Sequence, residues 1–120
     1  MTDRELLELA AQATGKRLEW DGHPDQWQPM YYEGKTYHSF DPLTDDGEAF
    51  RLAVQLGIYT APGPGTTCEA VTSFGWACKV SSIDRAGAMR RAIVEAAASV
   101  AMLDEQKEKD RLIGGMGQSD

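Results

Sequence analysis

Apolar residues recur at helical spacing in three stretches of the chain, and β-prone runs lie between them. In the first stretch Leu6, Leu9, Ala10 and Ala13 form a stripe, with Leu7 at its margin. It opens on Thr2-Asp3-Arg4-Glu5, the spacing of a capping box. In that motif the Thr2 hydroxyl accepts from the Glu5 amide and the Glu5 carboxylate reaches back to Thr2. Gly15 supplies the stop, because glycine takes positive φ without a Cβ clash. The pattern predicts a helix over 3–14. The second stretch carries Ala49, Leu52, Ala53 and Leu56, with Phe50 beside the stripe. Thr44, Asp45 or Asp46 caps it, after a turn at Pro42, and nearby acids suit the positive end of a helix. Gly57 followed by Ile58 has the form of a Schellman stop with its hydrophobic partner.

The third stretch is the clearest. Ser82 or Asp84 caps it, and Met89, Ile93, Ala96, Ala97, Val100 and Leu103 fall on one stripe. Ala86, Ala88, Ala92, Ala96, Ala97 and Ala98 raise helix propensity and add little bulk, so this helix can lie close to a sheet. Mixed charges from Asp104 to Leu112 predict a solvated helical extension, able to pack on a second copy of the chain as a homodimer. The glycine-rich residues 113–120 predict a disordered tail.

Between the helices, Arg17 to Trp20 reads as a short strand and Asp21 to Pro29 as a loop. Met30-Tyr31-Tyr32 and Thr36 to Phe40 flank Glu33-Gly34-Lys35, which predicts a hairpin. Ile58-Tyr59-Thr60 begins a strand that the Pro-Gly loop Ala61 to Gly65 ends. Thr67–Thr72 and Trp76–Ser81 predict a second hairpin around Ser73-Phe74-Gly75. Three amphipathic helices need an apolar sheet face to cover. The expected fold is therefore α+β: three helices on a four- to five-stranded, mostly antiparallel sheet, as one domain over residues 1–112.

Composition narrows the function classes. With 12 Lys and Arg against 19 Asp and Glu, the net charge is −7. That charge argues against a nucleic-acid partner, whose affinity comes largely from cationic contacts, and suits a basic protein surface. No apolar run reaches the ~20 residues of a membrane span, and no signal peptide opens the chain, so a reducing cytoplasm is expected. Cys68 and Cys78 then read as reduced, buried side chains.

Candidate chemistry is sparse. His23 and His38 lie in no metal-ligand spacing, and no GxSxG elbow surrounds a serine. No catalytic residue, metal ligand or cofactor is assigned. Asp41, Asp45, Asp46 and Glu48 read as capping acids before a calcium loop. Arg85, Arg90 and Arg91 stand near a helix N-terminus, where cations oppose the macrodipole. Ion pairs with the acids of 41–48, a solvated face and an anionic ligand each account for them. Trp20, Trp27, Tyr31, Tyr32, Tyr37 and Phe40 crowd into one region, and those left exposed are contact candidates. The candidate contact set is Trp27, Tyr31, Tyr32, Arg85, Arg90 and Arg91.

From Phe40 onward the chain resembles small bacteriophage proteins of the phage α-β-α sandwich, or NinX-like, family. Phe40-Asp41-Pro42-Leu43-Thr44-Asp45-Asp46, Ala49, Leu52 and Leu56-Gly57-Ile58 resemble the family's turn, helix and strand. Ala88-Met89-Arg90-Arg91-Ala92-Ile93-Val94 is similar to its closing helix, and Arg4 to Ala11 to its opening one. Trp76 matches a tryptophan common in its middle strands. The 21–29 loop and the charged tail depart from the pattern. The resemblance implies helices on both sheet faces and a phage or prophage accessory protein in a bacterial cytoplasm. It implies no activity and supplies no catalytic residue. The leading expectation is a non-enzymatic protein that binds a host protein, inhibiting host defence or regulation. The alternatives are a small-ligand binder, such as a sponge for a nucleotide signal, and a small hydrolase.

Overall fold

The computed structural model describes residues 1–22 and 28–117. Over these residues the order is α1 (Asp3–Ala13), β1 (Glu19–Asp21), β2 (Gln28–Glu33), β3 (Thr36–Ser39), α2 (Asp46–Leu56), β4 (Tyr59–Pro62), β5 (Thr67–Val71), β6 (Ala77–Ser81) and α3 (Arg85–Gly117). Residues 23–27, which hold His23 and Trp27, and residues 118–120 lie outside the described residues.

The helix ends follow the local chemistry. The Thr2 hydroxyl accepts from the Glu5 amide at 3.2 Å, giving the first half of the capping box. At the other end of α1, Gly15 takes φ 78° and the Lys16 amide donates back to the Ala11 carbonyl. Asp45 is the cap of α2 and accepts from the Glu48 amide at 2.9 Å. Gly57 takes the left-handed conformation while the Ile58 amide donates to Ala53, the Schellman geometry expected there. Asp84 caps α3 by accepting from the Gly87 amide. The α1 stripe is turned slightly from the expected one: Leu6, Leu7, Ala10 and Ala11 are buried, and Leu9 and Ala13 only half-buried. The α3 backbone remains helical to Gly117, past the expected tail boundary at 113.

The class is α+β, but the strands form two three-stranded antiparallel sheets rather than one of four or five. One sheet runs β1-β2-β3 and the other β4-β5-β6, each a meander of consecutive strands. Phe50, Ala53 and Val54 of α2 border an open groove shared with Thr60 of β4, so β4 remains an edge strand. Each meander satisfies its own ladder locally and neither edge reaches the other.

Helix α3 is the centre of the molecule. One side packs on β5 and β6, the other on α1 and α2. Over residues 88–101 it is therefore buried nearly all round: Ala92, Ile93, Val94, Ala96, Ala97, Ala98 and Ala101 are all closed to solvent. A helix apolar on every side is a core helix, not a surface one. The alanines let α1 approach closely, and Ala10 and Ala11 there are also fully buried. On the second sheet Cys68 and Ala70 are buried and Cys78 and Val80 half-buried, on the face toward α3. The opposite face holds Tyr59, Lys79 and Ala77 in the open. Helices thus lie on one face of this sheet among the described residues, not on both.

Candidate functional site

The sequence-derived contact residues do not meet at one place. Arg85 clasps the Pro-Gly loop, donating to the carbonyls of Gly63 and Gly65. Arg90 donates from Nε to the Leu43 carbonyl at 2.8 Å and from Nη1 to Asp46 at 2.6 Å, with Asp84 at 3.8 Å. Arg91 pairs with Asp3 at 2.8 Å, a hydrogen bond that raises its already high pKa. All three guanidinium groups serve internal ties, but only Arg90 pairs with an acid of the 41–48 segment; Arg85 holds backbone carbonyls and Arg91 holds Asp3. The acids of the 41–48 segment are engaged as well: Asp41 accepts from the Thr44 hydroxyl, Asp45 caps α2, Asp46 pairs with Arg90 and Glu48 accepts from the Asp41 amide.

The aromatic group divides between the two faces of the first sheet, as strand alternation requires. Tyr31 is half-buried, stacks on His38 at 5.2 Å and meets the buried Phe40 edge-on. Burial first, then Glu33 and Glu48, pushes the Tyr31 phenol above its usual pKa, so it stays a neutral donor. Tyr32 and Tyr37 pair on the other face, at 4.6 Å and exposed. Trp20 donates to Glu8 and lies against Arg4, fixing the sheet to α1. Trp27 lies outside the described residues.

An open apolar surface lies elsewhere. A groove of about 420 Å³ runs between α2, α3 and β4. Ala49, Ala53, Ile58, Met89 and Ile93 make its floor, and Phe50 and Val54 stand on its rim at 68% and 65% exposure. Those two residues lie one turn apart outside the α2 stripe. That surplus of apolar positions is the sequence signal that would have found the groove. The groove follows the free edge of β4. The Gly63 amide donates to the Thr67 carbonyl, and the register pairs Ala61 with Glu69 and Thr60 with Ala70. Ladder bonds alternate along an antiparallel pair, so the Thr60 N–H and C=O face away from β5. Pro62 offers no donor, which leaves a short open edge.

A second cleft, of mixed character, lies on the opposite side of α2. Lys16, Tyr31, Ser39, Glu48, Arg51 and Gln55 line it together with the apolar Phe40 and Leu52. Among the described residues no three His, Cys, Asp or Glu side chains gather to hold a metal ion. No described helix is long and apolar enough to cross a membrane. No protein-family model, curated protein or solved structure matches the chain.

Proposed function

We propose that the chain is a non-enzymatic phage accessory protein that binds a host protein by adding an extended segment of that partner to the free edge of β4. The observation that carries this reading is the coincidence of an open strand edge with an apolar groove beside it. Strand addition takes its affinity from main-chain hydrogen bonds and its specificity from pockets for alternate side chains. Thr60 supplies the edge donor and acceptor, and Ala49, Ala53, Met89 and Ile93 receive the inward side chains. Phe50 and Val54 close over the segment from α2. Asp46 and Asp84 stand nearby and largely exposed, on a chain of net charge −7. The partner segment is therefore apolar at alternate positions and flanked by Lys or Arg. The phage setting, and with it a bacterial cytoplasm, rests on the resemblance of the Phe40–Asp46 and Ala88–Val94 segments alone.

A displayed library of random peptides, selected against the whole chain, tests the reading. Selected peptides should carry apolar residues at every second position. Their affinity should fall about tenfold or more, roughly 1.4 kcal/mol, in Phe50→Asp. In the wild-type chain the Thr60 amide signal should shift downfield and gain protection on binding. Peptides with helical spacing, or peptides that bind Phe50→Asp equally well, refute strand addition.

A further inference from the structure

The cleft on the far face of α2 is lined by two cations that have no carboxylate partner among the described residues. Acids outnumber bases by 19 to 12, so most guanidinium groups find carboxylates: Arg4 with Glu8, Arg90 with Asp46, Arg91 with Asp3 and Arg111 with Glu108. Arg51 is different. Its guanidinium makes no ion pair or hydrogen bond among the described residues, although it lines the cavity and acts electrostatically on Tyr31. Lys16 is also without a carboxylate partner there. Its Nζ donates to the Thr14 hydroxyl at 3.2 Å and to Gln55 at 3.5 Å, and lies 5.3 Å from the Tyr31 ring centre. Lys16 also suits the negative end of α1, but that role asks nothing of Arg51.

The inner cavity measures about 140 Å³ and carries these two cations against one carboxylate, Glu48, which is already held by the Asp41 amide. It adjoins a wider space of about 710 Å³, bordered by Arg17, Tyr32, Glu19 and Glu33. Lys16, Tyr31 and Gln55 border both. The two sides of the cleft come from different elements: Lys16 from the end of α1, Tyr31 and Ser39 from the first sheet, Arg51 and Gln55 from α2. Two cations from separate elements lining one half-enclosed space attract an anion.

We propose that this cleft binds the anionic group of a small metabolite, a carboxylate or a phosphate, between Lys16 and Arg51. Gln55, Ser39 and the Tyr31 phenol supply neutral hydrogen-bonding groups, and the remainder of the molecule extends into the wider space. The site shares no lining residue with the β4 groove, so it stands or falls independently of the protein-binding reading.

Calorimetric titration at low salt decides the matter, using inorganic phosphate in one arm and succinate in the other. At least one anion should bind saturably at millimolar concentration, and which arm responds tells phosphate from carboxylate. Affinity should fall about tenfold, roughly 1.4 kcal/mol, in both Lys16→Met and Arg51→Gln, and stay unchanged in Arg111→Gln. In the wild-type chain the amide signals of Ser39, Arg51 and Gln55 should move while those of Thr60 and Ala86 stay still, a readout that needs no variant to fold. No saturable binding in either arm overturns the proposal. So does binding that survives both cleft variants, or that Arg111→Gln weakens equally.

Discussion

Arg90 shows how one side chain resolves a local conflict. It sits in the first turns of α3, where a cation opposes the helix macrodipole. Its side chain is only 18% exposed, yet its guanidinium satisfies the Leu43 carbonyl and meets both Asp46 and Asp84. The cation is thus neutralised by the first residue of α2 and the cap of α3, and it joins the turn before α2 to the start of α3. Removing it leaves the Leu43 carbonyl and two carboxylates without their donor. Charged hydrogen bonds of this kind contribute about 1.5–3 kcal/mol. Arg90→Met, which keeps the apolar stem, should therefore cost about 2 kcal/mol in urea denaturation. Arg111→Gln, which loses an exposed pair with Glu108, should stay within about 0.5 kcal/mol. Equal losses in the two variants would mean that Arg90 acts only as a surface charge.

At the scale of elements, the contact between α1 and α3 is built from alanines. Arg91 and Glu105 reach Asp3 and Gln12 of α1, and at helical spacing between them Ala98 and Ala101 share that face, closed to solvent like Ala10 and Ala11 of α1. Added methylenes have no space to enter and must push the helices apart. Ala98→Leu should destabilise by about 1–3 kcal/mol in urea denaturation. Ala86→Leu, on the exposed rim of the β4 groove, should leave stability nearly unchanged and weaken the selected peptides instead. Helices and hairpins of this kind were legible in the sequence because their signals are local: Thr2 before Glu5, Asp45 before Glu48, Gly57 before Ile58, Gly34 and Gly75 in their turns. The separation of the sheets was not, since which strands pair across the molecule depends on long-range packing, and no nearby residue encodes that. The cleft was hidden for a related reason. Lys16, Tyr31 and Arg51 come from three elements, and an unpaired cation is recognisable only once every acid has found its partner.

Across the whole molecule the two sheets are held unequally. The second sheet lays Cys68, Ala70, Cys78 and Val80 on α3, and Cys68 donates to the Arg85 carbonyl. The first sheet docks through a few side chains, chiefly Trp20 on Glu8, Tyr31 under Lys16 and the buried Phe40 at its end. Regions with few buried contacts open at lower free energy than the core. Native-state hydrogen exchange should therefore show β2 and β3 amides exchanging through an opening well below the global one, with β5 and the middle of α3 last. Opening of the first sheet would separate Tyr31 from Arg51 and dismantle the cleft, so an anion bound there must oppose it. At about 100 times Kd the protection is about 2.7 kcal/mol, and it should fall on β2 and β3. A peptide on the β4 edge should instead protect Thr60 and its neighbours and leave the first sheet unchanged. Equal exchange from β2 and β5 without ligand would show that the two sheets open as one unit and would remove this link between cleft and sheet.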